Sequence, residues 1–164
     1  MSPISRINQA AGKAGGLLLS QRGFLANGLV TKNLKMRQYY SRGATMDKIN
    51  IADKFAKISE YWKPYIAAEL NGQHVKLDKL KGEFVFHHHE NEDEMFLVVK
   101  GRFRMEFRDR QEWIEEGEFI VVPRGVEHRP VAEEECWILL FEPASTVNTG
   151  NVVNERTLAE LERV

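Results

Sequence analysis

Residues 102–108 read RFRMEFR, and this strict alternation of charged and apolar side chains limits most strongly what the chain can fold into. Successive side chains of a β-strand point to opposite faces, so Phe103, Met105 and Phe107 would be buried while the charged residues face water. Turn signals such as LNG, KG, EEGE and PRG recur at short intervals around this segment. The turns bound six expected strands: 74–80, 84–89, 95–100, 102–108, 119–122 and 136–142. The sequence therefore predicts an all-β fold, an antiparallel sandwich or small barrel, over residues 65–143.

Two other segments border the predicted barrel. The pre-barrel segment, residues 46–64, places apolar residues at helical spacing on one face: Ile51, Phe55, Ile58 and Trp62. This pattern predicts a helix over 47–63, capped by Asp47 or Asn50 and ended by the proline that follows. The C-terminal tail, residues 144–164, begins with the polar stretch STVNTGNV, and we expect a short helix from about Thr157.

Length and charge restrict the classes of protein to consider. The chain has 164 residues, which is enough for one domain with a substantial core. No apolar run approaches the roughly 20 residues that a membrane span needs, so no membrane partner is predicted. Residues 46–164 hold 16 of the 23 basic residues and all 24 acidic ones, a net charge of −8. This acidic balance disfavours nucleic acid as a partner.

Residues 1–45 differ in composition from the rest of the chain. They carry seven basic residues and no acidic residue, and they are rich in Gly, Ser, Ala and Asn. A basic, acid-free segment is typical of an organelle transit peptide, and RQYYS at 37–41 resembles the context in which mitochondrial presequences are cleaved. The alternatives are a disordered extension or an upstream region, with the protein starting at Met46. We expect a mitochondrial location if the segment is a transit peptide, and a cytoplasmic one otherwise.

The stretch FVFHHHENEDEMF, which begins at Phe84, holds three of the five histidines. If it forms a strand, His87 and His89 share one face, and His88 faces the other way together with Phe84 and Phe86. Two imidazoles at positions i and i+2 of one strand can chelate one metal ion. The informative unit is therefore H-x-H rather than HHH.

Two further residues are candidate ligands for the same ion. Glu94 begins the next strand after the acidic turn ENED, and His128 follows the turn PRGVE. Three imidazoles and one carboxylate suit Fe(II), Mn(II), Zn(II), Ni(II) or Cu(II), and would leave two positions of an octahedral ion open for water, substrate or O2. The alternative is a set of polar residues that line an empty pocket. The joint spacing favours the metal site.

These residues carry a resemblance to the cupin superfamily, small β-barrels with two signature motifs. The first motif, G-x5-H-x-H-x3,4-E-x6-G, is similar to GEFVFHHHENEDEMFLVVKG at residues 82–101. His87, His89 and Glu94 match it, although four residues rather than five separate Gly82 from the first histidine.

The second motif, G-x5-P-x-G-x2-H-x3-N, is similar to GEFIVVPRGVEHRPVA at residues 117–132. His128 matches it, whereas Ala132 stands in place of the final Asn, which is not one of the usual metal ligands. The resemblance implies a cupin double-stranded β-helix, or jelly-roll barrel. It also implies one bound divalent transition metal ion, which we expect to be Fe rather than Mn, Zn or Ni. It also implies a small-molecule ligand or substrate and a homodimer.

The resemblance does not name a reaction, because one fold serves many chemistries. A small-molecule metalloenzyme with dioxygenase-like oxidoreductase chemistry is the first interpretation. The alternatives are a sugar or sugar-phosphate isomerase or epimerase, and a ligand-binding cupin without activity. An isomerase needs acid/base residues near the metal, and the candidates are Glu83, Tyr65, His74 and Glu127. A phosphate would need cations, for which Arg124 and Arg129 are best placed.

The expected strand register also predicts the lining of the pocket. Five apolar residues would share the inward face: Val85, Phe96, Val98, Phe119 and Val121. Such a lining suits a hydrophobic or aromatic substrate better than a sugar, although a slip of one residue would reverse the faces. Met95, Leu97 and Val99 would lie on the opposite face, covered by a dimer partner or by the pre-barrel segment. Cys136 is expected to be a buried inert thiol, and the alternative is a thiol that faces the metal.

Overall fold

The computed structural model describes residues 47–164, and the predictions for residues 1–45 lie outside this range. The described part is mostly antiparallel β-structure, as expected, and it has one short helix. Its elements follow in chain order: α1 Ile51–Phe55, β1 Tyr65–Leu70, β2 Gln73–Glu83, β3 Glu94–Lys100, β4 Arg102–Phe107, β5 Gln111–Glu115, β6 Phe119–Val122 and β7 His128–Pro143.

The long strand β7 organises the sheet, because it pairs antiparallel with three other strands. Its first residues pair with β4, at His128 opposite Phe107, and its later residues pair with β3, at Leu140 opposite Phe96. β2 pairs along most of the length of β7. The remaining strands extend this arrangement, with β1 beside β2, β5 beside β4 and β6 beside β3.

The sheet wraps around one apolar core to which six strands contribute. The alternation in RFRMEFR is confirmed, since Phe103 and Met105 are fully buried and Phe107 nearly so. Buried residues of β2, β3, β5, β6 and β7 complete this core, among them Leu80 and Ile138. A smaller cluster around Phe55, Ile58 and Leu77 lies between the pre-barrel segment and the sheet.

The prediction of a helix over 47–63 is wrong in length, since only five residues are helical. Asn50 caps this helix, and its Oδ1 accepts hydrogen bonds from the amides of Ala52 and Asp53 at 3.0 and 3.3 Å. The chain then turns, and Trp62 adopts a φ of +60° while its amide donates to the carbonyl of Lys79. Contacts with β2 therefore replace the hydrogen bonds that a longer helix would have made.

Three further predictions of local structure need correction. Strands β1 and β5 were not expected, because neither YIAAEL nor QEWIE alternates strongly, and both strands lie at the edge of the sheet. Residues 84–89 form no regular strand and make a single β-bridge, between His87 and His128. No helix begins at Thr157, because its hydroxyl is used in the tail, where it accepts from the amide of Asn154 at 2.9 Å.

Within residues 47–164, no helix is both long and apolar enough to cross a membrane.

Candidate metal centre

The two ligand candidates of the H-x-H unit lie in the irregular segment between β2 and β3. The amide of His87 donates to the carbonyl of His128 at 3.0 Å, and the amide of His128 donates back at 2.9 Å. The carbonyl of His89 accepts from the amide of Gly125 at 2.7 Å, in the turn that precedes β7. Long-range backbone hydrogen bonds thus place this segment beside the start of β7.

The four predicted ligands come together at one point inside the fold. One ligand atom from each of His87, His89, Glu94 and His128 lies within 4.8 Å of the others. All four residues are buried, with at most 5% of their surface exposed. Glu94 contributes because it is the first residue of β3, and His128 because it is the first residue of β7.

Hydrogen bonds orient two of the imidazoles for metal binding. Nδ1 of His87 lies 3.0 Å from the carbonyl of Val85, and Nδ1 of His128 lies 2.9 Å from the carbonyl of Val126. A carbonyl can only accept, so each Nδ1 carries the proton and donates it. The Nε2 lone pairs are therefore left free for another partner.

Buried polar atoms without partners support the fit of a cation to this cluster. Nε2 of His89 and Nε2 of His128 lie 3.1 and 3.2 Å from Oε2 of Glu94. None of these three buried atoms makes a hydrogen bond of acceptable geometry. Such atoms are costly to bury unless something satisfies them. A metal ion between them would do so.

The electrostatics of the cluster favour the ligand protonation states. Burial, aided by the neighbouring His128, lowers the pKa of His87 to about 4, so this imidazole is neutral at ordinary pH. Burial opposes ionisation of Glu94, but the imidazoles of His128 and His89 outweigh it and hold the pKa of this carboxyl well below its usual range. A neutral imidazole and an ionised carboxylate are the forms that bind metals.

The middle histidine faces away from the cluster, as expected. Nε2 of His88 lies 2.9 Å from Oε1 of Glu90 at the surface. The predicted companion Phe84 does not follow it, because Phe84 is buried and packs edge-on against His87, with ring centroids 5.4 Å apart. The irregular backbone of this segment breaks the simple alternation on which that prediction rested.

A small cavity adjoins the cluster. Its volume, as the space open to the centres of water molecules, is about 40 Å³, which is room for roughly three waters. Most of its lining is apolar. Two of the candidate ligands, His87 and Glu94, line it together with the carboxyl groups of Asp78 and Glu142. The other lining residues are Trp62, Pro64, Leu80, Phe84, Phe96, Pro130, Ile138, Leu140 and Asn148.

The predicted lining is right for only one of its five residues. Phe96 lines the cavity, whereas Val98 is buried in the core and Val85 is half-buried outside the cavity. Phe119 and Val121 are 62% and 51% exposed. β6 pairs with β3 so that these two residues oppose the outward side chains of β3, and the neighbours Ile120 and Val122 face inward instead.

The four candidate acid/base residues lie outside this cavity. Glu83 pairs with Arg129, and Glu127 pairs with Arg108, both near the surface. Tyr65 packs on the smaller apolar cluster, and His74 lines a second cavity beside the C-terminal tail. The arginines proposed for phosphate are also engaged in ion pairs, Arg124 with Asp93 and Arg129 also with Glu106. Neither arginine lines the cavity.

The sequence interpretation missed three buried charged residues near the cluster. Lys76 and Asp78 lie on the inward face of β2, and Glu142 lies on β7. Nζ of Lys76 is 2.6 Å from Oε1 of Glu142. Burial and the adjacent Glu94 carboxylate raise the pKa of Glu142, and burial raises the pKa of Asp78 well above its usual range. The only sequence signal was the appearance of charges at inward positions of VKLDKL.

Cys136 is fully buried in the main core, as expected, and burial raises the pKa of its thiol to about 12. A thiol with this pKa stays protonated and is a poor nucleophile and metal ligand. It does not line the cavity beside the four candidate ligands. The interpretation as an inert core residue therefore holds.

Comparison with known proteins agrees with this architecture. The model of the cupin domain family Cupin_2 matches residues 73–140, which span β2 to β7. A cupin-2 domain containing protein from Shewanella frigidimarina is 45% identical, with a TM-score of 0.57 over 58% of this chain and 93% of its own. The chain therefore belongs to the cupin superfamily.

Two other relatives are similar over part of the chain. Protein NMB1881 from Neisseria meningitidis is 36% identical, with a TM-score of 0.56 over 60% of this chain and all of its own. The uncharacterized protein YdbB of Bacillus subtilis is 28% identical over 74 residues. These residues are 44% of this chain and 66% of YdbB, so the chain spans just under two thirds of that relative.

Proposed function

We propose that this cupin binds one divalent transition metal ion through His87, His89, Glu94 and His128 and acts on a small molecule. The observation that carries the proposal is the convergence of four buried ligand residues, three of which (His89, Glu94 and His128) each hold a nitrogen or oxygen atom with no hydrogen-bond partner. Three imidazoles and one carboxylate suit Fe, Mn, Zn or Ni, and we favour Fe. Bound Fe(II) would supply O2 activation and a Lewis acid for a substrate that chelates through oxygen.

The cavity supports dioxygenase-like chemistry on a compact, largely apolar substrate. Its walls carry aromatic and aliphatic side chains, which favour an apolar group over water. Asp78 is the wall residue best suited to face a substrate, since it is buried and is not one of the four ligands. Its raised pKa favours the protonated form, which can donate a hydrogen bond to a substrate oxygen.

The alternatives are less well supported by the same cavity. A sugar phosphate needs a cation, and among the described residues that line the cavity there is no Lys or Arg. A free sugar needs several polar partners, whereas most of the wall is apolar. A ligand-binding cupin without activity is the second candidate, because the same cavity beside the proposed metal site could retain a ligand.

Metal content tests the first part of the proposal. The protein is expressed in medium with several divalent metals, and we expect close to one metal ion per chain. Sharing the ~10–16 kcal/mol of a four-ligand site evenly gives about 3 kcal/mol per ligand, so His89→Ala should weaken binding by roughly 10²-fold or more. His88→Ala is the matched control and should bind as the wild type does. Equal losses in both variants would contradict the assignment.

Oxygen consumption tests the second part. The iron-loaded protein is presented with panels of diols, thiols and diketones, and consumption of O2 with one class would identify the chemistry. A fully loaded protein that consumes no O2 with any panel, yet binds one of these compounds, would favour the ligand-binding function instead.

We also propose that the protein forms a homodimer through the outer face of β3 and β6. Met95 lies opposite Val121, and Leu97 lies opposite Phe119, so these four side chains share one face. Phe119 and Val121 are largely exposed, and β6 is an edge strand of this part of the sheet. An exposed apolar face on an edge strand supports association with another copy.

A further inference from the structure

The C-terminal loop, residues 147–158, lies against the segment that carries the H-x-H unit. It follows β7 and lies beyond residues 73–140, which the family model matches. The motifs that define the candidate ligands therefore do not include this loop. Its contacts with the ligand segment are a property of this chain that neither motif predicts.

Asn151 makes a pair of hydrogen bonds with the peptide groups of His88. The amide of His88 donates to Oδ1 of Asn151 at 2.9 Å, and the amide of Asn151 donates to the carbonyl of His88 at 3.0 Å. One residue thus satisfies both backbone groups of His88, as a neighbouring strand would. This matters because the ligand segment forms no regular strand, and its other edge is held at His87 and His89.

Gly150 brings the loop into direct contact with the same segment. Its φ is +50°, and a Cβ at this position would lie 2.9 Å from the carbonyl carbon of His88 and 3.2 Å from Cδ2 of His87. The first of these distances is shorter than real Cβ contacts, and the neighbour is backbone. Only glycine allows the loop to lie this close to the imidazole of His87.

Internal hydrogen bonds fix the conformation of the loop. The hydroxyl groups of Thr149 and Thr157 lie 2.8 Å apart, and Thr149 is fully buried. The side chain of Asn148 accepts from the amide of Leu158 and donates to the carbonyl of Arg156. Asn148 also lines the cavity beside the metal cluster. The loop is therefore a preformed support rather than a loose tail.

We infer that the C-terminal loop is a positioning element of the metal centre, with Asn151 and Gly150 holding the peptide between the two histidine ligands. The two hydrogen bonds between Asn151 and His88 fix the peptide planes on either side of His88, and these planes set the directions of the imidazoles of His87 and His89. This inference rests on the proposed metal site. Partners that orient ligands typically change metal affinity by about 10–100-fold.

Titration of the metal-free full-length protein with Co(II) tests the inference, because the visible absorption of Co(II) reports both affinity and ligand geometry. We expect Asn151→Ala to weaken Co(II) binding by about tenfold and to alter the spectrum. Asn151→Asp keeps the acceptor oxygen that Asn151→Ala removes, so it should restore most of the Co(II) affinity and most of the wild-type spectrum. Val153→Ala is the matched control, since Val153 lies in the same loop and is 87% exposed.

Thermal unfolding of the metal-free variants separates positioning from a general loss of stability. A purely structural role would lower the melting temperature of Asn151→Ala but leave the affinity and spectrum of the folded protein unchanged, and that result would overturn the inference. Gly150→Ala is a second variant, in which we expect a larger loss of affinity. If the wild type itself fails to bind Co(II), Fe(II) or Zn(II), the proposed metal site fails instead.

Discussion

The buried ion pair between Lys76 and Glu142 makes a sharp prediction about stability. Their side chains are 1% and 3% exposed, and the charged atoms are 2.6 Å apart. With an effective dielectric constant of about 20, this attraction is about 6 kcal/mol, and desolvation of both groups offsets part of it. Lys76→Met keeps the volume and removes the cation, leaving Glu142 buried beside Glu94. We expect the free energy of unfolding to fall by about 3–5 kcal/mol near pH 7.

Urea unfolding in the presence of a chelator measures this loss without a contribution from bound metal. Without Lys76, Glu142 should be protonated in the folded protein, because burial and Glu94 already raise its pKa above the ordinary 4.5. Because this carboxyl pKa is raised in the folded state, the folded protein binds more protons than the unfolded protein above pH 4.5, and stability falls as the pH rises. The loss of stability in Lys76→Met should therefore grow as the pH rises from 5 to 8. The double variant Lys76→Met/Glu142→Gln should recover to within about 1 kcal/mol of the wild type. A loss below about 1 kcal/mol in the single variant, or no recovery in the double, would refute the reasoning.

Further predictions concern the cavity, the metal, the dimer and the N-terminal segment. Asp78→Asn keeps an oxygen for the amide of Lys63 and should stabilise the protein in urea unfolding at pH 7. The raised pKa of Asp78 means that its carboxyl group destabilises the folded protein increasingly as the pH rises above 3.8. The gain in stability of Asp78→Asn should therefore shrink as the pH falls toward 3.8, and a gain that does not change with pH would contradict a buried acid. Metal at about 100 times its Kd should add about 2.7 kcal/mol to stability, and a chelator should remove this gain in calorimetry. Phe119→Glu should convert the proposed dimer to a monomer in sedimentation without changing metal content. Residues 1–45 fused to a fluorescent protein should direct it to mitochondria, and diffuse fluorescence would contradict the transit-peptide interpretation.

Local patterns were enough to predict most of the sheet. RFRMEFR alternates because one face of its strand is buried, and that period is visible in the sequence without knowledge of the partner strands. The short edge strands β1 and β5 were missed, because their stability comes from pairing with β2 and β4 rather than from a strong pattern of their own. The length of the helix predicted over 47–63 was overestimated, because its apolar spacing also suits a segment that packs against the sheet without being helical.

The register of β6 shows where local patterns fail. FIVV is apolar at every position, so its sequence does not say which two side chains point inward. Pairing of Glu94 with Val122 decides the matter and leaves Phe119 at the surface. A fully apolar strand therefore needs its partner before its faces can be assigned.

The sequence by itself determined the antiparallel β class and the four residues of the candidate metal centre, because alternation, turn residues and ligand spacing are local properties of the chain. Only the tertiary structure decided how the centre is supported. It brought Asp78 and Glu142 into the cavity beside the ligands and paired Lys76 with Glu142. It also placed Asn151 and Gly150 against the irregular histidine segment. These contacts join residues more than 50 positions apart or on separate strands, so they depend on the way the whole sheet closes around its core and have no period or spacing that a sequence could display.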